Sequence, residues 1–229
     1  MPELPEVQTT VNGLNATVRG RKILAVWTDY KSHKIPKSFA KAVVGKTILK
    51  TERRAKNILM HLSGGYTILT HMKLTGFYFF NPPKDTKYLR LIFKLDKNHV
   101  LALSDLRRFA KVVVIKTRDL NKSIHLENIG PEPLEKSFTY PLFKARLLTK
   151  PRGKIKTVLM DPSVIAGIGN IYSDEILWRA GVHPTSIVSK IPDKNMKGMF
   201  KAMKAVLKKG IDFGGDSMSD YFNVYGLRG

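Results

Sequence analysis

The stretch "DPSVIAGIGNIYSDEILWRAGVHP", Asp161 to Pro184, sets the character of the second half of this 229-residue chain. Within it a helix ends, a glycine-containing turn follows, and a second helix begins near Asn170. Gly167 and Gly169 allow close approach to the backbone. The amides around Asn170 open a helix N-terminus suited to holding a phosphate, and a tight helix–helix corner without ligand has the same signature.

Working outward, helical periodicity covers Tyr140 to Leu148, Lys154 to Met160, Ile171 to Ala180 and Lys194 to Lys209. Upstream, "NIGPEPLEKS", Asn128 to Ser137, has two prolines in a polar setting and reads as a hinge between domains. The first half has a different texture. After a helix over Glu6 to Thr17 come "KILAVWTDY", "KTILKTE", "NILMHL", "YTILTHM", "LRLIFKLD", "HVLALSD" and "FAKVVVIK", short β-branched or aromatic segments that read as strands. "SGG" at Ser63 to Gly65 and "DKN" at Asp96 to Asn98 fit hairpin turns, so an antiparallel β-sandwich or flattened barrel should end near Lys116. The expected fold class is therefore α+β. A β-sandwich with a leading helix occupies residues 1–130, a helical domain residues 131–229, and a cleft lies between them.

Lysine and arginine number 40 against 18 acids, a formal charge of +22, which calls for a polyanionic partner and above all nucleic acid. The alternative is a solvated basic surface, which would repel itself strongly without a bound anion. There are no cysteines, so disulfides, thiol catalysis and cysteine-ligated zinc are excluded within these residues. No apolar run approaches the ~20 residues that span a bilayer, and the first residues lack a signal-peptide pattern, so no membrane partner is expected and the compartment should be the cytoplasm or nucleoid.

The chain opens "MPELPEVQTT". Proline is favoured at a helix start and acids complement the positive end of the helix dipole, so the stretch taken alone reads first as a plain helix start, with a working end as the alternative.

Five ordered motifs resolve this. "PELPEV", "RRAKNILMHL", "THMKLTG", "DLRRFAKV" and "GIGNIYSDE" together resemble the formamidopyrimidine-DNA glycosylase (Fpg/Nei, or MutM) family over essentially all 229 residues, the last being its helix–two-turn–helix signature. "PELPEV" favours the oxidised-purine branch over the endonuclease VIII branch. The resemblance implies a bifunctional DNA glycosylase and AP lyase that removes oxidised purines such as 8-oxoguanine and formamidopyrimidines from duplex DNA as a monomer. Loss of Met1 would expose the Pro2 amine as nucleophile, forming a Schiff base at the deoxyribose anomeric carbon. Glu3 would shuttle protons through β,δ-elimination, and Glu6 would support the site, cap the helix, or both. Lys56, counted with Pro2, Glu3 and Glu6 as catalytic, would grip phosphates flanking the lesion together with His71 and Asn170; Tyr172 of the same signature is expected at the DNA. Leu74, Arg107 and Phe109 would fill the hole left by the extruded base and face the orphaned one, with Leu74 where the family usually has methionine.

The family zinc needs a four-cysteine finger, so no cofactor is expected in these residues. Two readings of the tail "GGDSMSDYFNVYGLRG" are open: "VYG" is the pre-finger signature with the lesion-capping loop deleted, or the chain stops inside that loop. The glycine spacing from Gly214 favours the second, which makes the chain a fragment or a natural truncation. Two rival functions remain, a non-catalytic helix–two-turn–helix nucleic-acid binder and a pyrimidine-preferring glycosylase. Pro2 and Glu3 argue against the first, and a panel of lesion duplexes separates the second.

Overall fold

The computed structural model describes residues 1–31, 34–215 and 221–228. Eight strands occur among them: β1 (Ile23–Thr28), β2 (Ile48–Arg54), β3 (Asn57–Leu62), β4 (Tyr66–His71), β5 (Gly76–Phe80), β6 (Leu89–Leu95), β7 (Val100–Asp105) and β8 (Lys111–Lys116). They form two antiparallel four-stranded sheets, ordered β1-β6-β7-β5 and β2-β3-β4-β8. Helices α1 (Leu4–Thr17) and α2 (Lys37–Val43) complete this half, and α1 sends Val7, Val11 and Leu14 into the core that the sheets enclose.

Strand β3 is buried on both faces, which explains why "NILMHL" is a nearly continuous apolar run rather than an alternating one. Ile58 and Met60 point into the sandwich, whereas Leu59 and Leu69 pack outward against Leu120, in the 3₁₀ helix Thr117–Lys122 after β8, and Leu126 beyond it.

The second half is helical: α3 (Tyr140–Leu148), α4 (Ile155–Met160), α5 (Asn170–Ala180) and α6 (Asp193–Asp212) enclose a separate core. Leu4, the first residue of α1, is buried in that second core. Val224 returns to the first core, packs beside Gly13, and accepts a hydrogen bond from the Phe80 amide at 2.8 Å.

The α+β class and both expected hairpin turns are present, but two elements escaped the sequence pattern. Strand β5 follows the loop after β4 yet crosses to the other sheet and pairs with β7, so no neighbouring hairpin announces it. Helix α2 is seven residues long with only Phe39 and Val43 as buried anchors, too short to establish a period. Helix α1 begins at Leu4 rather than Glu6, because the Glu6 carboxylate reaches back to the Glu3 amide at 2.8 Å and caps one turn earlier.

The segment expected as a hinge is pinned. Glu132 is buried and receives Arg53 at 2.6 Å, Arg54 at 2.9 Å and the Ala55 amide at 2.6 Å. Gly130 and Pro131 also hydrogen-bond to Pro162 and Ala166 across the junction. Of the tail with two open readings, residues 216–220 and 229 lie outside the described residues; Tyr221 and Val224 are buried. No described helix is long and apolar enough to cross a membrane.

Candidate active site

The first turn of α1 lies where the two cores meet. Pro2 is buried, and the Glu3 and Glu6 side chains are each only 2% exposed. Glu6 caps the helix, the second of the roles open for it, and also receives the Tyr172 hydroxyl at 2.7 Å. Its carbonyl accepts the hydroxyls of Thr10 at 2.9 Å and Tyr221 at 3.0 Å, which fastens the tail to the same turn.

Glu3 occupies the N-terminus of α5. One carboxylate oxygen takes the Gly169 amide at 2.6 Å and, at a longer 3.4 Å, that of Tyr172; the other takes the Ile171 amide at 2.9 Å. This corrects the expectation that these amides hold a phosphate: an anion of the protein itself is already there, delivered by α1. Glycine is required at the contact, since a Cβ on Gly169 would collide with the Glu3 carboxyl carbon and lie 2.7 Å from the Lys56 ammonium nitrogen. Gly167, at φ +84°, turns the chain so that its carbonyl accepts the Leu4 amide at 3.0 Å. Burial raises the Glu3 pKa above the usual carboxylate value, against the opposing pull of Lys56 and the α5 amides. A carboxyl shifted in that direction holds its proton more readily than a free one.

Lys56 sits on the two-residue turn between β2 and β3, which Ala55 closes in the left-handed region at φ +53°. Glu132 holds that turn through the Ala55 amide. Burial lowers the Lys56 pKa, and Glu3 and Glu6 oppose the shift. His71 ends β4, and its Nδ1 accepts the Lys73 amide at 3.1 Å. The neutral ring therefore carries its proton on Nε2. Burial, reinforced by Lys73, Lys56 and Lys111, pushes its pKa down to about 4, so His71 is an uncharged donor at neutral pH.

Lys56, His71 and Gly167 line a cavity of about 430 Å³, and Lys73, Lys111 and His125 are among the other residues of its wall. These last three were not singled out in the sequence. Lys111 faces His71 across the β4–β8 register, but one lysine among the 40 basic residues carries no signal of its own. Asn170 is exposed at the start of α5. Tyr172 departs from its expected place at the DNA: its side chain is buried, 4% exposed, and its hydroxyl is engaged by Glu6. It faces inward because α5 packs that side against α6, where Gly210 leaves room for the ring.

The three wedge candidates share one rim. Leu74, 40% exposed, stands on the β4–β5 loop, and Phe109, 47% exposed, on the β7–β8 loop; both line a second cavity of about 500 Å³. The Arg107 guanidinium lies 4.7 Å from the centroid of the Phe109 ring, a cation–π contact that makes the two side chains a stacked unit. The donor set for a four-cysteine zinc centre does not exist in this chain, which has no cysteine, and no described group of three or more His, Asp or Glu could hold a metal.

Residues 1–112 match the formamidopyrimidine-DNA glycosylase N-terminal domain model, and residues 129–221 match the formamidopyrimidine-DNA glycosylase H2TH domain model. The chain is 35% identical to the formamidopyrimidine-DNA glycosylase of Bacillus subtilis, over 99% of its length and 83% of the relative's. It is 37% identical to that of Carboxydothermus hydrogenoformans, over 100% and 84%. Among solved structures, the MutM (Fpg) protein of Thermus thermophilus superposes with a TM-score of 0.90 at 31% identity, covering 100% of this chain and 84% of that one. Lactococcus lactis Fpg in complex with DNA containing an abasic site gives 0.87 at 29%, covering 94% and 80%.

Proposed function

The chain belongs to the formamidopyrimidine-DNA glycosylase family and is a DNA glycosylase and AP lyase of base excision repair; from that premise we propose that it removes oxidised purines from duplex DNA through a Schiff base on Pro2. The observation that carries this reading is the carboxylate of Glu3, buried beside Pro2 on the amides of α5 and next to Lys56.

After removal of Met1 the Pro2 nitrogen is a secondary amine, and an α-amino group with an ordinary pKa of ~7.7–8.0 is partly free to attack at neutral pH. It forms a bond to the anomeric carbon as the glycosidic bond breaks, and the proton that the amine nitrogen gives up leaves with the base. Glu3 delivers a proton to the ring oxygen, the sugar opens, and the iminium forms. In the same reading Glu3 then takes the proton whose loss starts β-elimination, and δ-elimination leaves phosphate ends. Burial, which raises its pKa, favours the protonated form that the first transfer needs, and Lys56 and the α5 amides stabilise the carboxylate that results.

Lys56, His71 and Asn170 bind phosphates on either side of the extruded nucleotide in this scheme, with His71 acting as a neutral Nε2–H donor. Leu74 and Phe109 enter the stack, and Arg107 hydrogen-bonds the orphaned base. Two units, a sandwich at 1–130 and a helical half at 131–229, bind DNA as a monomer in the nucleoid, consistent with the +22 charge. The test is borohydride trapping on an abasic-site duplex with intact mass of the adduct, followed by a lesion panel. A single adduct on a chain lacking Met1, with excision of 8-oxoguanine ahead of oxidised pyrimidines, is expected; absence of any adduct would overturn the mechanism, and pyrimidine preference would overturn the lesion class.

A further inference from the structure

Asp105, at the end of β7, is fully buried, and among the described residues no lysine or arginine pairs with its carboxylate. Such a group is costly unless donors surround it. Three do, each from a different segment. Oδ1 accepts the Thr75 hydroxyl at 2.7 Å, and Oδ2 accepts the Tyr30 hydroxyl and the Ala110 amide, both at 2.8 Å. Thr75 passes the connection on, because its Oγ1 accepts the Arg107 amide at 3.1 Å.

The donors are placed so that the network spans both exposed loops of the rim. Thr75 follows Leu74, Ala110 follows Phe109, and Arg107 is joined directly to Thr75. The β4–β5 loop leaves one sheet for the other, the β7–β8 loop returns, and the bridge ties the one to the other. Nearby cations act elsewhere: Arg90 and Arg108 converge on Asp29 at 2.7 and 2.9 Å, and Arg90 Nε reaches only the Asp105 carbonyl, at 3.1 Å.

We propose that Asp105 is a positioning residue for base extrusion: through Thr75 and the Ala110 amide it locks Leu74 and the Arg107–Phe109 pair into one wedge that enters the duplex as a unit. The proposal rests on the wedge roles given above to Leu74, Arg107 and Phe109. Asp105→Asn would keep the size but turn an NH₂ toward groups that are themselves donors. Thr75→Val would cut the link between the loops while leaving the carboxylate two donors. Tyr30→Phe removes a donor that belongs to neither loop.

The experiment compares the parent with Asp105→Asn, Thr75→Val, Tyr30→Phe and Phe109→Ala in three assays: single-turnover excision of 8-oxoguanine from duplex, fluorescence of a 2-aminopurine beside the lesion, and borohydride trapping on a single-stranded abasic oligonucleotide. Asp105→Asn and Thr75→Val should lower excision about tenfold or more, since each breaks a hydrogen bond to a charged group, and should blunt the fluorescence rise. Trapping should stay within about twofold, because no base is extruded there, and Tyr30→Phe should have the smaller effect. Should Asp105→Asn fail to fold, Thr75→Val decides. A parental fluorescence response in Phe109→Ala would overturn the wedge itself and this proposal with it. A response lost in Phe109→Ala but intact in Thr75→Val and Asp105→Asn would overturn the role of Asp105 alone, as would losses equal in excision and trapping that follow melting temperature.

Discussion

The carboxylate of Glu3 and the amide of Gly169 meet at 2.6 Å across 166 residues of sequence. The contact joins the start of one half of the molecule to a helix N-terminus in the other, and it seats a carboxylate of the protein itself on an anion-binding helix end. Gly169→Ala should therefore act like a change of Glu3 itself, since the added Cβ would collide with the carboxyl group. Glu3→Gln should cost excision ~10²–10⁴-fold with duplex binding retained, and Gly169→Ala should fall in the same direction. Single-turnover excision beside a gel-shift titration measures both; near-parental excision by either variant would refute the seat.

Pro2 is useful as a nucleophile only at a free terminus. A variant engineered to keep Met1 should give little trapped adduct, and Pro2→Gly should give a reduced but measurable yield, because a primary amine can still form a Schiff base. Mass spectrometry of the reduced adduct decides. A full yield on chains that still carry Met1 would remove Pro2 from the mechanism.

Lys56 separates grip from turnover. Lys56→Ala should weaken binding to lesion and undamaged duplexes alike and reduce the slope of log K against log salt by about one, the signature of a single phosphate contact. A slope identical to that of the parent would place its charge away from the backbone.

His71 links acidity to stability. Its folded pKa of about 4 lies below the ordinary 6.5, so between those values the unfolded chain binds the extra proton and stability falls as pH falls. The shift corresponds to about 3 kcal/mol at most. His71→Gln cannot take up that proton, so its denaturation midpoint should drop less than the parent's between pH 7 and pH 4.5. Parallel midpoints across that window would count against a neutral buried imidazole.

Glu132 and Glu52 make a matched contrast. Glu132 is 7% exposed at the side chain and faces Arg53, itself 9% exposed, whereas Glu52 is 49% exposed beside Lys50 and His61. Glu132→Ala should cost about 3–5 kcal/mol by leaving buried cations unpaired, and Glu52→Ala about 0–1 kcal/mol. Urea titration of both variants gives the comparison, and equal losses would contradict the clamp at the Lys56 turn.

How much of this could be read from the sequence depended on how far apart the partners lie. The sandwich strands, the helix over Tyr140–Leu148 and the corner before Asn170 declare themselves through local period and turn residues. β5 does not, because its partner β7 comes more than twenty residues later and its own neighbour β4 lies in the other sheet. At the site, the spacing of Glu3 and Glu6 was visible, but their acceptor geometry was not: only the fold brings Gly169 and Tyr172 to them. Tyr172 was misplaced for that reason, since a tyrosine in a signature gives no hint of which face of its helix is covered. Asp105 stood in plain view in "DLRRF", where the arginine and phenylalanine carried the chemistry and the acid looked like a strand end.

The split loyalty of α1, with Leu4 in the helical core and Val7 onward in the sandwich, bears on how the protein is made. The amino terminus is the first part to leave the ribosome, yet Glu3 has no seat until Gly169 and Ile171 have been synthesised and folded, and the Glu6 turn is not fastened until Tyr221 arrives. A half-translated chain has Pro2 and Glu3 but not the α5 amides that hold the Glu3 carboxylate. On the mechanism proposed above, incision would begin only after both halves have been made, so a nascent chain would not nick DNA before the site is complete.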